Sequence, residues 1–124
     1  MDLVEFLRAR VADDERAVVA ILRRAPNWSV DSEPWMTNGV GVIDDRGDSV
    51  AVAIGDYAAR HVARHDPARV LRDVEARRLL LDDIKRDLAD DPTDESALWR
   101  AAVMAAPYAD HPDYREEWAP GSVA

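Results

Sequence analysis

The sequence predicts an α+β fold: a mainly helical single domain over residues 1–124, with a small antiparallel β-hairpin packed on the helices. The spacing of apolar residues is the first observation behind it. This spacing is helical over residues 2–25 and again from residue 56, but apolar and polar residues alternate between residues 27 and 54. The second observation is the composition, because 48% hydrophobic and 33% charged residues are typical of a globular chain. A length of 124 residues fits one domain.

The first element is a helix over residues 2–25. Asp2 and Glu5 have the spacing of a capping box, and Pro26 ends the helix. The apolar residues that share one face are Leu3, Phe6, Leu7, Val11, Val18, Ile21 and Leu22.

The β-region covers residues 27–54. Alternating valines predict a hairpin from about Val40 to Ile54, turning at the Gly47 cluster, with a first strand near Trp28 or Trp35. A two-stranded ribbon is not stable alone, so we expect it to pack on a helix.

Helices follow over residues 56–64, 66–90 and 93–106. Asp66 suits the N-cap of the second, and Pro67 its first position, where a missing N–H costs nothing. Asp91 and Pro92 are expected to cap the third helix. The segment 107–120 is predicted to dock on the body through its aromatic residues, which are Tyr108, Tyr114 and Trp118.

Basic and acidic residues are concentrated in different stretches of the chain, whose net charge is −9. Residues 60–78 hold six arginines against three acids, and residues 82–95 hold seven acids against two bases. One explanation is a solvated helix face with i,i+4 pairs such as Arg69 with Asp73. The other is that each end binds an opposite charge on a partner. The residues expected to make those contacts are Arg64, Arg69, Arg72, Arg77, Asp82 and Asp83.

The helix from Pro67 to Asp90 also carries a heptad-like apolar seam. Antiparallel pairing with a second copy would bury Leu81, Ile84 and Leu88 and bring opposite charges together. A homodimer is therefore one form of the partner hypothesis.

Composition excludes several classes of protein. The chain has no cysteine, so disulfides and thiolate chemistry are excluded. Its negative charge argues against binding to a nucleic-acid backbone, and no apolar run is long enough to span a membrane. No serine lies on a G-x-S-x-G elbow. We expect a cytoplasmic protein without cofactor, and the sequence favours a binding protein over an enzyme.

The histidines suggest an alternative, a metal site. His61 and His65 have the i,i+4 spacing of helical metal ligands, and His111 with Asp110 or Asp113 would complete a site for a divalent transition metal. The glutamate of a H-E-x-x-H motif is missing, however. A further alternative is an anion site that gathers the arginines at positions 60, 64 and 69 around the helix start after Asp66.

Two long motifs, HVARHDPARVLRDVEA over residues 61–76 and PYADHPDYREEW over residues 107–118, carry a family resemblance. With them, the chain resembles a family of small uncharacterised proteins of actinobacteria and their phages. The resemblance implies such an origin and brings no activity or catalytic residues.

The functional hypothesis is a non-enzymatic accessory protein of actinobacterial or phage origin that binds a protein partner and modulates a host process. The alternatives are a small metal-dependent enzyme with a His/Asp site, and an acidic regulator or nucleic-acid mimic. The acidic run is broken by Lys85 and Arg86, which disfavours mimicry.

Overall fold

The computed structural model describes residues 1–24, 35–37, 41–43, 46, 49–52 and 56–123. The described part is mainly helical, as predicted. It contains the α-helices α1 (Leu3–Arg24), α2 (Asp56–Arg64), α3 (Pro67–Asp90), α4 (Glu95–Ala105) and α5 (Pro120–Val123), and the 3-10 helices Ala106–Tyr108 and Glu116–Trp118. Its short strands are β1 (Met36–Thr37), β2 (Gly41–Ile43) and β3 (Ser49–Val52).

The three strands pair antiparallel in the order β1-β2-β3. Met36 lies opposite Ile43, and Val42 lies opposite Ala51. β1 and β2 lie against α2. Of the predicted turn at 44–48 only Arg46 is described, so the hairpin with its glycine turn stays a prediction. β1 follows Trp35, and the other candidate for a first strand, around residue 28, lies outside the described residues.

The chain divides into two compact units. Unit 1 comprises residues 1–14 and 74–124, and unit 2 comprises residues 15–73. Helices α1 and α3 each contribute residues to both units.

The core of unit 1 forms around Phe6, Leu7 and Ile84, which are fully buried. Helix α4 presents a face of small residues to this core, which lets the helix backbones approach closely. Those residues are Ala97, Ala101, Ala102 and Ala105.

The apolar seam of α3 faces this same core. Leu81 and Ile84 are buried in it, and Leu88 packs against it. The expectation that a second copy covers Leu81 and Ile84 is therefore wrong, because their own unit covers them. Leu88 is only half-buried, and the homodimer stays a prediction. The leucines of α3 that remain exposed are Leu79, at 68%, and Leu80, at 42%.

Carboxylates cap the starts of α1 and α4. The Asp2 carboxylate accepts from the Glu5 backbone N–H at 2.8 Å, and the Glu5 carboxylate accepts from the Asp2 backbone N–H at 2.9 Å. This pair of bonds is the predicted capping box. Asp94, not Asp91, caps α4, and its carboxylate accepts from Ala97 N–H at 2.9 Å. The predicted helix over 93–106 therefore begins later, at Glu95.

Asp91 has a different role in the turn between α3 and α4. Its carboxylate accepts from both the backbone N–H and the hydroxyl of Thr93, at 2.9 and 2.7 Å. These bonds lower the pKa of Asp91, the hydroxyl contributing most.

The C-terminal segment packs around Phe6. The ring centroids of Trp118 and Tyr114 lie 5.1 and 5.9 Å from that of Phe6, and Tyr108 makes an edge contact at 6.3 Å. Trp118 is buried, with 7% exposure. Aromatic contacts to one helical residue therefore hold this segment on unit 1.

Candidate functional site

A cleft in unit 2 brings together three of the arginines that the sequence predicts as partner-binding residues. Its volume is about 260 Å³. Helix α2, the first turns of α3 and the residue before β1 form its walls. The described residues that line it are Trp35, Ala63, Arg64, Asp66, Arg69 and Arg72.

Asp66 holds the cleft in shape. It precedes α3, and its Oδ1 accepts from the Arg69 N–H at 2.9 Å, as an N-cap does. Its Oδ2 accepts from the backbone N–H of Trp35 at 3.2 Å. The side chain is buried, with 6% residue exposure, so it ties the segment before β1 to the start of α3.

The three arginines reach the cleft from two helices. Arg64 is the last residue of α2, whereas Arg69 and Arg72 are one turn apart on α3 and therefore project on the same side. All three are exposed. Among the residues that the structure describes, no carboxylate forms an ion pair with them, and the predicted pair of Arg69 with Asp73 does not form.

The electrostatics of the cleft therefore favour an anion. Both oxygens of the Asp66 carboxylate accept backbone N–H groups, so this carboxylate is committed to the cap. Guanidinium groups bind carboxylates and phosphates through paired, charge-assisted hydrogen bonds. The Trp35 side chain adds an aromatic wall, on which the apolar part of a ligand can pack.

The other predicted contact residues lie in unit 1, mostly in internal interactions. The Arg77 guanidinium donates to Asp14 at 3.0 Å and to the Tyr108 hydroxyl at 2.6 Å. The Asp83 carboxylate accepts from Arg100 at 2.9 Å. Asp82 is exposed.

Sequence reasoning missed the network around Tyr108. The Tyr108 hydroxyl donates to the Asp14 carboxylate at 2.6 Å, 94 residues away along the chain. Burial raises the pKa of Tyr108 to about 12, and the hydrogen bond to Asp14 adds to the rise. No local pattern marks such a pair. Trp35 was likewise considered only as a strand residue.

Two of the predicted metal ligands are adjacent. The ring centroids of His61 and His65 lie 4.7 Å apart, and the His65 Nδ1 lies 2.8 Å from the His61 backbone oxygen. That contact occupies one nitrogen of His65. Within the described ranges, no group of three or more histidines, aspartates or glutamates is placed to hold a metal ion.

The remaining predicted ligands belong to unit 1. The His111 ring packs against Phe6 with centroids 5.7 Å apart, and its Nδ1 lies 2.8 Å from the Arg10 guanidinium. Asp110 is exposed, and Asp113 donates its backbone N–H to His111 at 3.1 Å. A guanidinium against the ring disfavours a metal cation there. The metal site stays a prediction.

Comparisons with known proteins give a family and no activity. Searches of curated proteins and of solved structures returned no match. None of the described helices is both long and apolar enough to cross a bilayer. The model of a family of unknown function, DUF6221, matches residues 1–120. Because this match covers nearly the whole sequence, the chain belongs to the DUF6221 family.

Proposed function

We propose that this chain is a non-enzymatic interaction protein that binds an anionic group of a protein partner in the cleft of unit 2. One observation carries the proposal. Arg64, Arg69 and Arg72 line a single cleft, and none of them has a carboxylate partner in the described part of the chain.

Like charges held together without counter-charge repel one another, and an incoming anion relieves that repulsion. Among the described lining residues, three guanidiniums against the carboxylate of Asp66 leave a positive balance, although the net charge of the whole chain is negative. A positively charged cleft on a negatively charged protein favours anionic ligands and attracts them as they approach.

The size of the cleft indicates what enters it. Small-molecule sites usually measure roughly 300–1,000 Å³. A cleft of about 260 Å³ is slightly smaller and accommodates one side chain or one acidic group. Recognition of a partner segment by clustered arginines is a known mode of peptide binding.

The resemblance to actinobacterial and phage proteins supports a host protein as the partner, and modulation of a host process as the consequence. A second copy is the other form of the proposal. In that form, an exposed acid such as Asp90, at the end of α3, would enter the cleft of the other copy.

Nucleic-acid mimicry has less support from the structure. Several acids of the 82–95 segment serve internal contacts, so they do not form a free array. Asp83 and Asp87 bind Arg100, while Asp91 and Asp94 stabilise the turn and the cap before α4.

The test measures binding of a fluorescein-labelled peptide with a run of glutamates by fluorescence anisotropy. Replacing Arg64, Arg69 and Arg72 by glutamine should weaken binding by about tenfold or more. A matched control replaces Arg8, Arg86 and Arg115, which are exposed, by glutamine and changes the net charge equally.

The control should keep most of the affinity. Equal loss in both triple variants would show a non-specific charge effect and contradict the proposal. Unchanged binding in the cleft variant would contradict it too. Light scattering of the chain alone distinguishes a second copy from a foreign partner.

A further inference from the structure

We infer that the anionic group recognised by the cleft is a phosphoryl group, carried as a phosphate monoester on a side chain of the partner. This inference rests on the proposed function and names the chemistry of its ligand. Three properties of the cleft support it: its charge, the number of its donors and the position of Asp66.

The charge of the lining matches a dianion. Three guanidiniums and one carboxylate leave a balance of two positive charges among the described residues that line the cleft. A phosphorylated side chain carries about −1.5 to −2 at pH 7, whereas a glutamate carries one negative charge. A phosphoryl group therefore neutralises the cleft, and a single carboxylate leaves it positive.

The number of donors also fits. One guanidinium in a bidentate pair occupies both oxygens of a carboxylate. A phosphate monoester presents three terminal oxygens, which three guanidiniums can share. Arg64 approaches from the end of α2, while Arg69 and Arg72 approach from one side of α3, so the donors are spread in direction.

Asp66 determines which groups do the binding. It occupies the N-cap of α3 and accepts the Arg69 backbone N–H, so that amide is not open to an anion, and Pro67 at the first helical position has no N–H. The predicted anion site combines the arginines at positions 60, 64 and 69 with the helix start after Asp66. The site inferred from the cleft uses the side chains of Arg64, Arg69 and Arg72 instead. Such a site depends on arginine identity, which substitution can test.

The experiment compares two peptides with the wild-type chain by isothermal titration calorimetry. One contains phosphoserine, and the other has glutamate at the same position. At about pH 7.5 the phosphoserine peptide should bind about tenfold more tightly, because it carries the second charge. The triple glutamine variant at Arg64, Arg69 and Arg72 should lose this preference.

Acidity provides an independent readout. The second pKa of the phosphoryl group is about 6, so at about pH 5 the group is a monoanion. The ratio of the two affinities should then fall several-fold. The ratio is used because any effect of pH on the protein that is common to both peptides cancels in it.

The outcomes separate the two proposals. Equal affinity for both peptides at both pH values would overturn the phosphoryl inference and leave the proposed function standing. Absence of binding by either peptide, with no difference between wild-type and the triple variant, would overturn both. Inorganic phosphate that binds as tightly as the phosphoserine peptide would overturn the assignment to a partner side chain.

Folding of the variants is checked by circular dichroism, and a conservative substitution adds a second test. Arg69→Lys keeps the positive charge but loses the planar fork of donors. The preference for phosphoserine should decrease in this variant while binding of the glutamate peptide changes less. An unchanged preference would contradict recognition by paired guanidinium donors.

Discussion

Two groups of arginines, one in each unit of this chain, have opposite roles. In unit 1, Arg10 lies 3.0 Å from Asp13, Arg77 lies 3.0 Å from Asp14, and Arg100 binds two carboxylates of α3. In unit 2, Arg64, Arg69 and Arg72 line a cleft and have no such partner within the described residues. These arginines of unit 1 bind carboxylates of the same unit, whereas the cleft arginines of unit 2 are available to bind a ligand.

The contrast extends to energetics. An arginine that bridges two elements stabilises the fold. When such an arginine is removed, its carboxylate partner is left without a hydrogen bond, which lowers the unfolding free energy. An arginine in a like-charged cluster contributes little to stability or lowers it. Mutations of Arg10, Arg77 and Arg100 should therefore change the unfolding free energy, and mutations of the cleft arginines should change binding.

The largest expected effect is at the centre of unit 1. Phe6→Ala should lower the unfolding free energy by about 3–5 kcal/mol, because it removes the ring that the C-terminal aromatic residues surround. Urea denaturation followed by tryptophan fluorescence measures the loss. Arg8→Ala, an exposed site on the same helix, should change it by no more than about 0.5 kcal/mol.

A similar loss at both positions would show that the aromatic cluster does not carry the stability of this unit.

The second effect concerns Arg10, whose side chain is only 11% exposed. It contacts His111 and Asp13 and lies over the Phe6 ring at 5.2 Å. Arg10→Met should destabilise the protein by about 1–3 kcal/mol, since it removes charged hydrogen bonds while keeping the length of the side chain. Thermal denaturation of this variant, compared with Arg8→Met, measures the difference. Equal melting temperatures would contradict an internal role for Arg10.

Local features were predictable from the sequence. The capping box of Asp2 and Glu5, the N-cap at Asp66 and the helical bounds around them follow from short-range chemistry. The arginines of the cleft were also predicted as contact residues, because their clustering is visible within a few turns of helix.

Long-range contacts could not be predicted. The pairing of Asp14 with Arg77 and Tyr108 joins three distant parts of the chain, and its residues carry no signal of their own. Arg72 and Arg77 both belong to the arginine-rich stretch of residues 60–78, yet Arg77 binds Asp14 and Arg72 lines the cleft. Only packing decides which arginine is neutralised.

A third, smaller effect tests that network. Tyr108→Phe should lower the unfolding free energy by about 1 kcal/mol near neutral pH, because the hydroxyl that bridges Asp14 and Arg77 is lost. Denaturant titration measures it, with Tyr114→Phe as the control.

The difference should depend on pH. The folded protein holds the Tyr108 proton to about pH 12, whereas an unfolded tyrosine loses it near pH 10. The stabilisation by Tyr108 is therefore complete below about pH 10 and is lost as the pH rises towards 12. A difference between wild-type and Tyr108→Phe that stays constant up to pH 12 would contradict the raised pKa.

The smallest effect on stability is expected in the cleft. Arg72→Gln should change the unfolding free energy by no more than about 0.5 kcal/mol, and relief of repulsion with Arg69 can make the change favourable. Phosphate should nevertheless raise the melting temperature of the wild-type chain more than that of the variant, because a ligand that binds only the folded state stabilises it. Arg86→Gln, an exposed site on the same helix, should respond to phosphate as the wild-type does.

This last pair of measurements separates the two uses of arginine most directly. If Arg72 formed an internal ion pair as Arg77 does, its replacement would destabilise the protein with or without phosphate. If Arg72 binds a ligand, its replacement changes stability very little until phosphate is added. A large loss of stability without phosphate would therefore assign Arg72 to the fold, and the cleft would lose one of the three charges on which phosphoryl recognition depends.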